Sequence, residues 1–304
     1  MKKICFIGTG ALGGYYAACL ARAGEEVHCL CRSDHDTVAR KGLRVKSCEG
    51  DFNAKVHAHR TAEAIGVSDL VIVGVKTTSN EAVPPLLKPV VGPDTILLTL
   101  QNGLGNEELL HRHYPAGQIM GGVCFLCSNR ICPGRIHHIA HGHIQLAEFS
   151  GSVRERTRRV AGLFSRAKVR CEAHESLGEI RWRKLVWNIP FNGLSITANG
   201  ATVEDILRDS ELFQTARELM AETIRTANEE GHAIPEEFIQ QNITYSSNMG
   251  CYKTSMQLDF EAGRPLEIES IIGEPVRRAG KLGLKVPAMQ ELYAAIRRWS
   301  SCKR

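Results

Sequence analysis

Lys184, Asn188 and Asn192 recur at i, i+4 and i+8 in the stretch Trp182-Arg183-Lys184-Leu185-Val186-Trp187-Asn188-Ile189-Pro190-Phe191-Asn192. On an α-helix that spacing places one ammonium and two amides on a single face. A positioned ammonium can stabilise negative charge that builds on a carbonyl oxygen and can then deliver a proton. The residues between are mostly apolar, so the helix is expected to be buried. In such a helix an unpaired polar group costs about 1–3 kcal/mol. The stripe therefore has partners, either a ligand or other packed elements that make it a structural seam. Pro190 removes a backbone hydrogen bond and is expected to kink the helix, turning Asn192 off the shared face.

A second constellation opens the chain. Lys3-Ile4-Cys5-Phe6-Ile7 reads as a buried parallel strand, and Gly8-Thr9-Gly10-Ala11-Leu12-Gly13 follows at once. Helical composition from Tyr15 to Ala23 ends at Gly24, and Glu26 to Cys31 is the next strand. Strand, G-x-G-x-x-G, helix and strand within one short unit is the context a dinucleotide site requires. The glycines allow close backbone approach, and the helix N-terminus offers its N–H groups to a pyrophosphate. Gly8, Gly10, Ala11, Leu12 and Gly13 are thus candidate cofactor residues. The second strand ends at Arg32, where an enzyme using NAD has an acidic residue for the ribose 2′-hydroxyl. A guanidinium suits a 2′-phosphate instead, which favours NADPH/NADP, while nearby Asp34 keeps NAD in view. Further strands at Asp69–Val75 and Thr95–Leu100 bring Lys76 and Asn102 to their carboxyl ends, where open parallel sheets bind ligands.

The remaining elements set the frame. From Gly121 to Phe149 short β runs (Val123–Leu126, Arg135–Ile139, His143–Ala147) read as antiparallel strands extending the sheet. Cys124, Cys127 and Cys132 with His137, His138, His141 and His143 have no spacing suited to a closed zinc site, so no metal is expected. Arg154 to Ala167 reads as a basic helix with a solvated outer face, and Val169–Glu172 as the last strand. Helical periodicity dominates afterwards, with Ser210 as an N-cap, Pro235 and Pro287 opening helices, and a further helix over Leu266–Lys281. The fold class expected is α/β: an N-terminal Rossmann-type doubly wound sheet over 1–172, followed by an all-helical C-terminal domain over 173–304.

Composition agrees. Hydrophobic residues at 43% and charged residues at 23% are ordinary for a globular chain, and a net charge of +5 with 6% aromatics does not suggest a nucleic-acid binder. No run of apolar residues is long enough to span a membrane, and no signal peptide precedes the first strand. Eleven cysteines, most inside apolar runs, read as reduced thiols of a cytoplasmic protein.

The chain resembles the ketopantoate reductase (2-dehydropantoate 2-reductase) family over essentially its whole length. The resemblance rests on Gly8-x-Gly10-Ala11-Leu12-Gly13, Val75-Lys76, Gln101-Asn102-Gly103-Leu104-Gly105 and Arg183-Lys184-Leu185-x-x-Asn188-x-x-x-Asn192-Gly193-Leu194-Ser195. It continues through Ser255-Met256 to Asp259, Gly263-Arg264-Pro265 and Glu267-Ile268-Glu269. It implies NADPH-dependent reduction of ketopantoate to (R)-pantoate, on the way to pantothenate and coenzyme A. By the same resemblance Lys184 is the general acid, Asn102, Asn188 and Asn192 line the cofactor and substrate site, and Ser255 holds the substrate carboxylate. Glu267 assists near the reacting centre, and Lys76 and Arg32 serve the cofactor. Gln257-Leu258 stands where the family commonly has Leu-Gln, and Leu266 where it commonly has Thr. The expected partner is a small 2-keto acid, and a homodimer is compatible with the sequence without being fixed by it. Two other readings stay open: an NAD(P)-dependent reductase of another 2-keto or 3-hydroxy acid, and a non-catalytic NADP-binding redox sensor. A sensor has no use for Lys184, Asn188, Ser255 and Glu267 together.

Overall fold

A computed structural model describes residues 1–302, with side chains through Arg298. The chain forms two compact units. Met1–Gln101 and Asn106–Leu177 make the first; the short loop Asn102–Gly105 joins the stretch from Gly178 onward in the second.

The first unit is built on one sheet. Its strands are β1 (Ile4–Ile7), β2 (Val27–Leu30), β3 (Leu43–Ser47), β4 (Phe52–Ala54), β5 (His57–His59), β6 (Leu70–Val73), β7 (Ile96–Thr99), β8 (Ile119–Cys132), β9 (Arg135–Glu148) and β10 (Cys171–Ala173). The order is β4-β3-β9-β8-β7-β6-β1-β2-β5, with β10 beside β9. From β5 to β8 every neighbouring pair is parallel. The central strands β1 and β6 are apolar at every position because both faces are covered. Ile4 and Phe6 enter the core beneath α1 (Ala11–Arg22), while Cys5 and Ile7 enter the opposite core. The short helices α2 (His35–Lys41), α3 (Val83–Leu87) and α4 (Asn106–His111) follow β2, β6 and β7. Val83, Leu87 and Leu110 fill that second core, and α5 (Glu155–Arg166) closes the first with Val160, Leu163 and Phe164.

The three short runs expected between 121 and 149 are two strands of 14 residues paired antiparallel. His141 bridges the two later runs with a positive φ of 62°, and register shifts absorb the irregularity. The outer edge of β9 is shared by β3 along Arg135–His138 and by β10 along Ile144–Leu146. Among the described residues no group of three or more His, Cys, Asp or Glu is arranged to hold a metal ion. His143 stacks on Phe125, and buried His138 bonds Ser47 and the His141 carbonyl instead. Helix α5 is less solvated than its composition suggests, because Arg156 and Thr157 both bond the buried carboxylate of Glu148.

The second unit is helical: α6 (Leu177–Thr197), α7 (Val203–Arg208), α8 (Ser210–Glu229), α9 (Glu237–Ser247), α10 (Ser255–Glu261), α11 (Glu274–Lys281) and α12 (Pro287–Cys302). Helix α6 is apolar on nearly every side, as a central helix must be, and Trp182, Val186, Ile189, Phe191 and Ile196 are fully buried. It continues through Pro190 as one element, since Pro forfeits a single i→i−4 bond and the packing around α6 holds the rest. The cap of α8 is Asp209 and not Ser210; its carboxylate accepts from Glu211 N and Leu212 N. The helix expected over Leu266–Lys281 starts later, in a π turn over Glu269–Gly273 that runs into α11. No helix of the described residues is long and apolar enough to cross a membrane.

Two imidazoles tie the fold to pH. Burial holds His59 below its ordinary value near 6.5, helped by the positive charges of His28, His57, Lys3 and His35. Burial also lowers His232, with Arg278 in the same direction and Glu230 and Glu179 opposing. The unfolded chain therefore binds more protons just below pH 6.5 than the folded one, and stability falls as pH drops through that window. The urea midpoint is expected to fall between about pH 7 and pH 5.5, above the range of ordinary carboxylates. A His59→Gln, His232→Gln double variant should show a smaller fall over the same interval.

Candidate active site

In the first unit the turn after β1 is held by glycine contacts that no other residue permits. Gly8 has φ +102°, and a Cβ there would lie 2.6 Å from Val75 Cγ1. A Cβ on Gly13 would lie 2.2 Å from the Gly8 carbonyl oxygen, and one on Gly14 would meet Ile136 Cδ1 at 2.6 Å. Gly10 differs. It caps α1 at an ordinary φ of −67°, and a Cβ there would meet no protein atom within 4 Å. Packing does not demand a glycine at 10; the space beside it at the helix N-terminus is open. The first helical bond is Gly14 N to Gly10 O, so the N–H groups of Ala11, Leu12 and Gly13 have no acceptor within the helix. That geometry fits a dinucleotide pyrophosphate.

Arg32 is exposed just beyond β2, and the preceding Cys31 N–H donates to His59 O at 2.8 Å. Lys76 is exposed after β6, where its carbonyl accepts from Ser79 N at 2.9 Å. Asp34, the acidic residue that kept NAD in view, is turned inward at 2% exposure. Its carboxylate accepts from the Thr9 hydroxyl at 3.2 Å and from Arg130 at 3.5 Å. Next to β7 a polar chain runs from Thr99 through Gln101 and Asn80 to Asn106, with bonds of 3.0, 2.7 and 3.0 Å. Thr9, Asn80, Asn106 and Arg130 were not singled out by sequence. Thr9 lay inside the glycine motif, whereas Arg130 carries no local signal because its partner is 96 residues away.

In the second unit Lys184 Nζ donates to Asn102 Oδ1 at 2.8 Å. The Asn102–Gly105 loop is anchored by Leu104 N to Ser270 O at 2.9 Å, and a Cβ on Gly103 (φ +80°) would sit 2.3 Å from that same oxygen. Ser270 Oγ in turn donates to Glu267 O, so one residue ties the Asn102 loop to the Glu267 segment. Asn188 and Asn192, a turn apart, have different fates. The Asn192 amide is used within the protein: Nδ2 donates to Asn188 O at 2.9 Å and Oδ1 accepts from Met256 N at 3.3 Å. The Asn188 side-chain amide makes no hydrogen bond among the described residues, although Asn188 is only 6% exposed. Ser255 opens α10 and is exposed, one residue after the cap Thr254, whose hydroxyl lies 3.2 Å from Ser195 Oγ. Thr254 also escaped the sequence reading, though Thr before a short helix is an N-cap signal. Glu267 is 9% exposed, two residues before the π turn begins at Glu269.

The residues that depart from the family pattern face inward. Gln257 is fully buried and donates to Gly200 O at 2.7 Å, and Leu266 packs against the helical core.

The two motif glycines separate binding from folding. Gly10→Ala should cost about 1 kcal/mol of stability or less, as a change of cap residue, yet weaken nucleotide binding in a fluorescence titration. Gly13→Ala should instead lower stability by about 1–3 kcal/mol, because backbone must move to admit the methyl group.

Known proteins resemble this chain along its length. The family model described as Ketopantoate reductase PanE/ApbA matches residues 4–151, and the one described as Ketopantoate reductase PanE/ApbA C terminal matches residues 176–300. A 2-dehydropantoate 2-reductase of Nostoc sp. is 41% identical over 298 residues, covering 96% of this chain and 93% of that protein. The crystal structure of 2-dehydropantoate 2-reductase from Geobacter metallireducens matches with a TM-score of 0.95 and 42% identity, over 97% of this chain and 99% of that one. The corresponding structure from Methylococcus capsulatus matches with a TM-score of 0.93 and 34% identity, over 99% and 97%. With its glycine loop, its Lys184–Asn102 pair and both family regions in place, the chain belongs to the ketopantoate reductase family of oxidoreductases.

Proposed function

We propose that this protein reduces ketopantoate to (R)-pantoate with NADPH, a step toward pantothenate and coenzyme A. The observation that carries the reading is the 2.8 Å bond from Lys184 Nζ to Asn102 Oδ1. An ammonium has three N–H donors, and fixing one on a neutral acceptor sets where the others point without cancelling the charge. A carboxylate in place of Asn102 would make an ion pair and oppose a second, substrate anion. The neutral amide adds no negative charge beside a keto acid.

When bound, the nicotinamide supplies the hydride, and the carbonyl oxygen gains negative charge. Lys184 stabilises that charge and gives its proton to the oxygen, so the ketone leaves as an alcohol and the neutral amine recovers a proton from water. Asn188, whose side-chain amide has no hydrogen-bond partner among the described residues, is suited to donate to the substrate. Exposed Ser255 is suited to the substrate carboxylate, and Glu267 to orienting Lys184 or the forming hydroxyl. Asn192 supports the site by holding Met256 N, and with it the start of α10 where Ser255 sits. Gly8, Gly10, Ala11, Leu12 and Gly13 are suited to the pyrophosphate, Arg32 to the 2′-phosphate, and Lys76 to the nucleotide phosphates. Asn102 serves through the lysine it holds. The inward-facing Gln257 and Leu266 support ketopantoate as substrate, because these departures change packing and not the exposed polar groups.

Steady-state oxidation of NADPH should give a higher kcat/KM for ketopantoate than for pyruvate or other 2-keto acids. Under the same conditions Lys184→Ala should lower kcat by about 10²–10⁴-fold with NADPH binding near wild type. A folded Lys184→Ala enzyme that keeps most of its kcat would return the stripe to a structural role. Arg32→Ala should weaken NADPH by about ten- to a hundredfold and leave NADH nearly unchanged, since only the 2′-phosphate loses a charge-assisted bond. Equal losses for both cofactors would make Arg32 structural.

A further inference from the structure

Arg130 stands far from every sequence motif, on the β8–β9 hairpin, yet reaches the end of β2. Its Nη1 lies 3.5 Å from Asp34 Oδ2, and the Thr9 hydroxyl lies 3.2 Å from the same oxygen. The Asp34 side chain is 3% exposed and that of Arg130 is 41% exposed. The hairpin is well seated here. Ile136, which pairs with Arg130 across the hairpin, packs against α1, where a Cβ on Gly14 would lie 2.6 Å from its Cδ1. Arg130 thus approaches the glycine loop from a fixed strand, engages a buried carboxylate with one nitrogen and keeps the rest of its guanidinium toward solvent.

We infer that Arg130 is a specificity-determining residue for the cofactor, acting through Asp34. The inference deepens the proposed use of NADPH and rests on that reading. An acidic residue at this point of the chain favours a ribose 2′-hydroxyl and repels a 2′-phosphate. Arg130 and Thr9 both engage the inward-turned Asp34 carboxylate at Oδ2 and so compete with a ribose for it. The formal charge around the end of β2 also moves from neutral to positive. Asp34 and Arg32 alone sum to zero, whereas adding Arg130 leaves the pocket positive toward a phosphate that carries close to two negative charges. Arg130 is a positioning residue here: it need not touch the nucleotide to select it.

The test is direct binding of NADPH and NADH by cofactor fluorescence to the full-length protein and its variants, with far-ultraviolet circular dichroism as a check on folding. Arg130→Ala should shift the ratio of the two dissociation constants toward NADH by about tenfold, the scale of one lost charge-assisted bond. Arg130→Lys should restore most of the wild-type ratio, because the charge returns. Adding Asp34→Asn to Arg130→Ala should also restore it, because the released carboxylate is gone. A merely structural role would weaken both cofactors together and would not be rescued by Asp34→Asn. An unchanged ratio in Arg130→Ala, or no rescue in the double variant, overturns the inference. The wild-type ratio bears on the NADPH reading, and the change on substitution bears on Arg130, so the two fail separately.

Discussion

A polar group on a helix buried from all sides must be matched, and this constraint organises the second unit. Helix α6 is the centre of its core, with Trp182 and Phe191 fully enclosed. Lys184, Asn188 and Asn192 break that apolar surface, and each is resolved differently. Lys184 is matched by Asn102, which requires the Asn102–Gly105 loop to leave the strand-rich unit's chain and lie on Ser270. Asn192 is matched by backbone, which fixes α10 against α6. The Asn188 side-chain amide has no hydrogen-bond partner among the described residues, and its polar atoms are not enclosed in the protein, which leaves them accessible to a ligand.

The first unit depends on a different constraint, the near contact of backbone with backbone. Gly13 under the Gly8 carbonyl, with Gly74 beside it, brings α1 against the sheet closely enough for its N-terminus to end at the carboxyl edge of β1. Only Gly10 in that turn is free of protein neighbours on its missing side chain. The motif therefore divides into residues that build the turn and a residue that leaves it open. Charges near the turn are also divided, with Arg32 exposed and Asp34 engaged by Thr9 and Arg130.

Local patterns were sufficient for the parts of this protein whose physics is local. Unbroken apolar runs marked β1 and β6, and mostly apolar runs marked β2 and β7, since burial on both faces leaves little alternation to misread. The glycine turn and the i, i+4, i+8 stripe declare themselves within a dozen residues, and so does Arg32 at a strand end. The strands β3, β4 and β5 did not, because they lack such a run and owe their existence to the neighbours they pair with. The long β8–β9 hairpin was read as three pieces for the same reason: the positive φ at His141 looks like a break along the sequence but is carried across by the partner strand.

What the sequence determined by itself was the chemistry available: an ammonium, amides, a hydroxyl and a carboxylate in motif order, and a glycine turn for a nucleotide. What only the tertiary structure decided was which of those groups are spent on the fold and which remain open. Asn188 and Asn192 are the same residue type on the same helix, yet one amide is consumed by Asn188 O and Met256 N and the other has no hydrogen-bond partner among the described residues. Asp34 reads as a ribose ligand until Arg130, 96 residues later, turns it inward. Hydrogen bonds and ion pairs form between groups close in space, and separation along the chain carries no record of them.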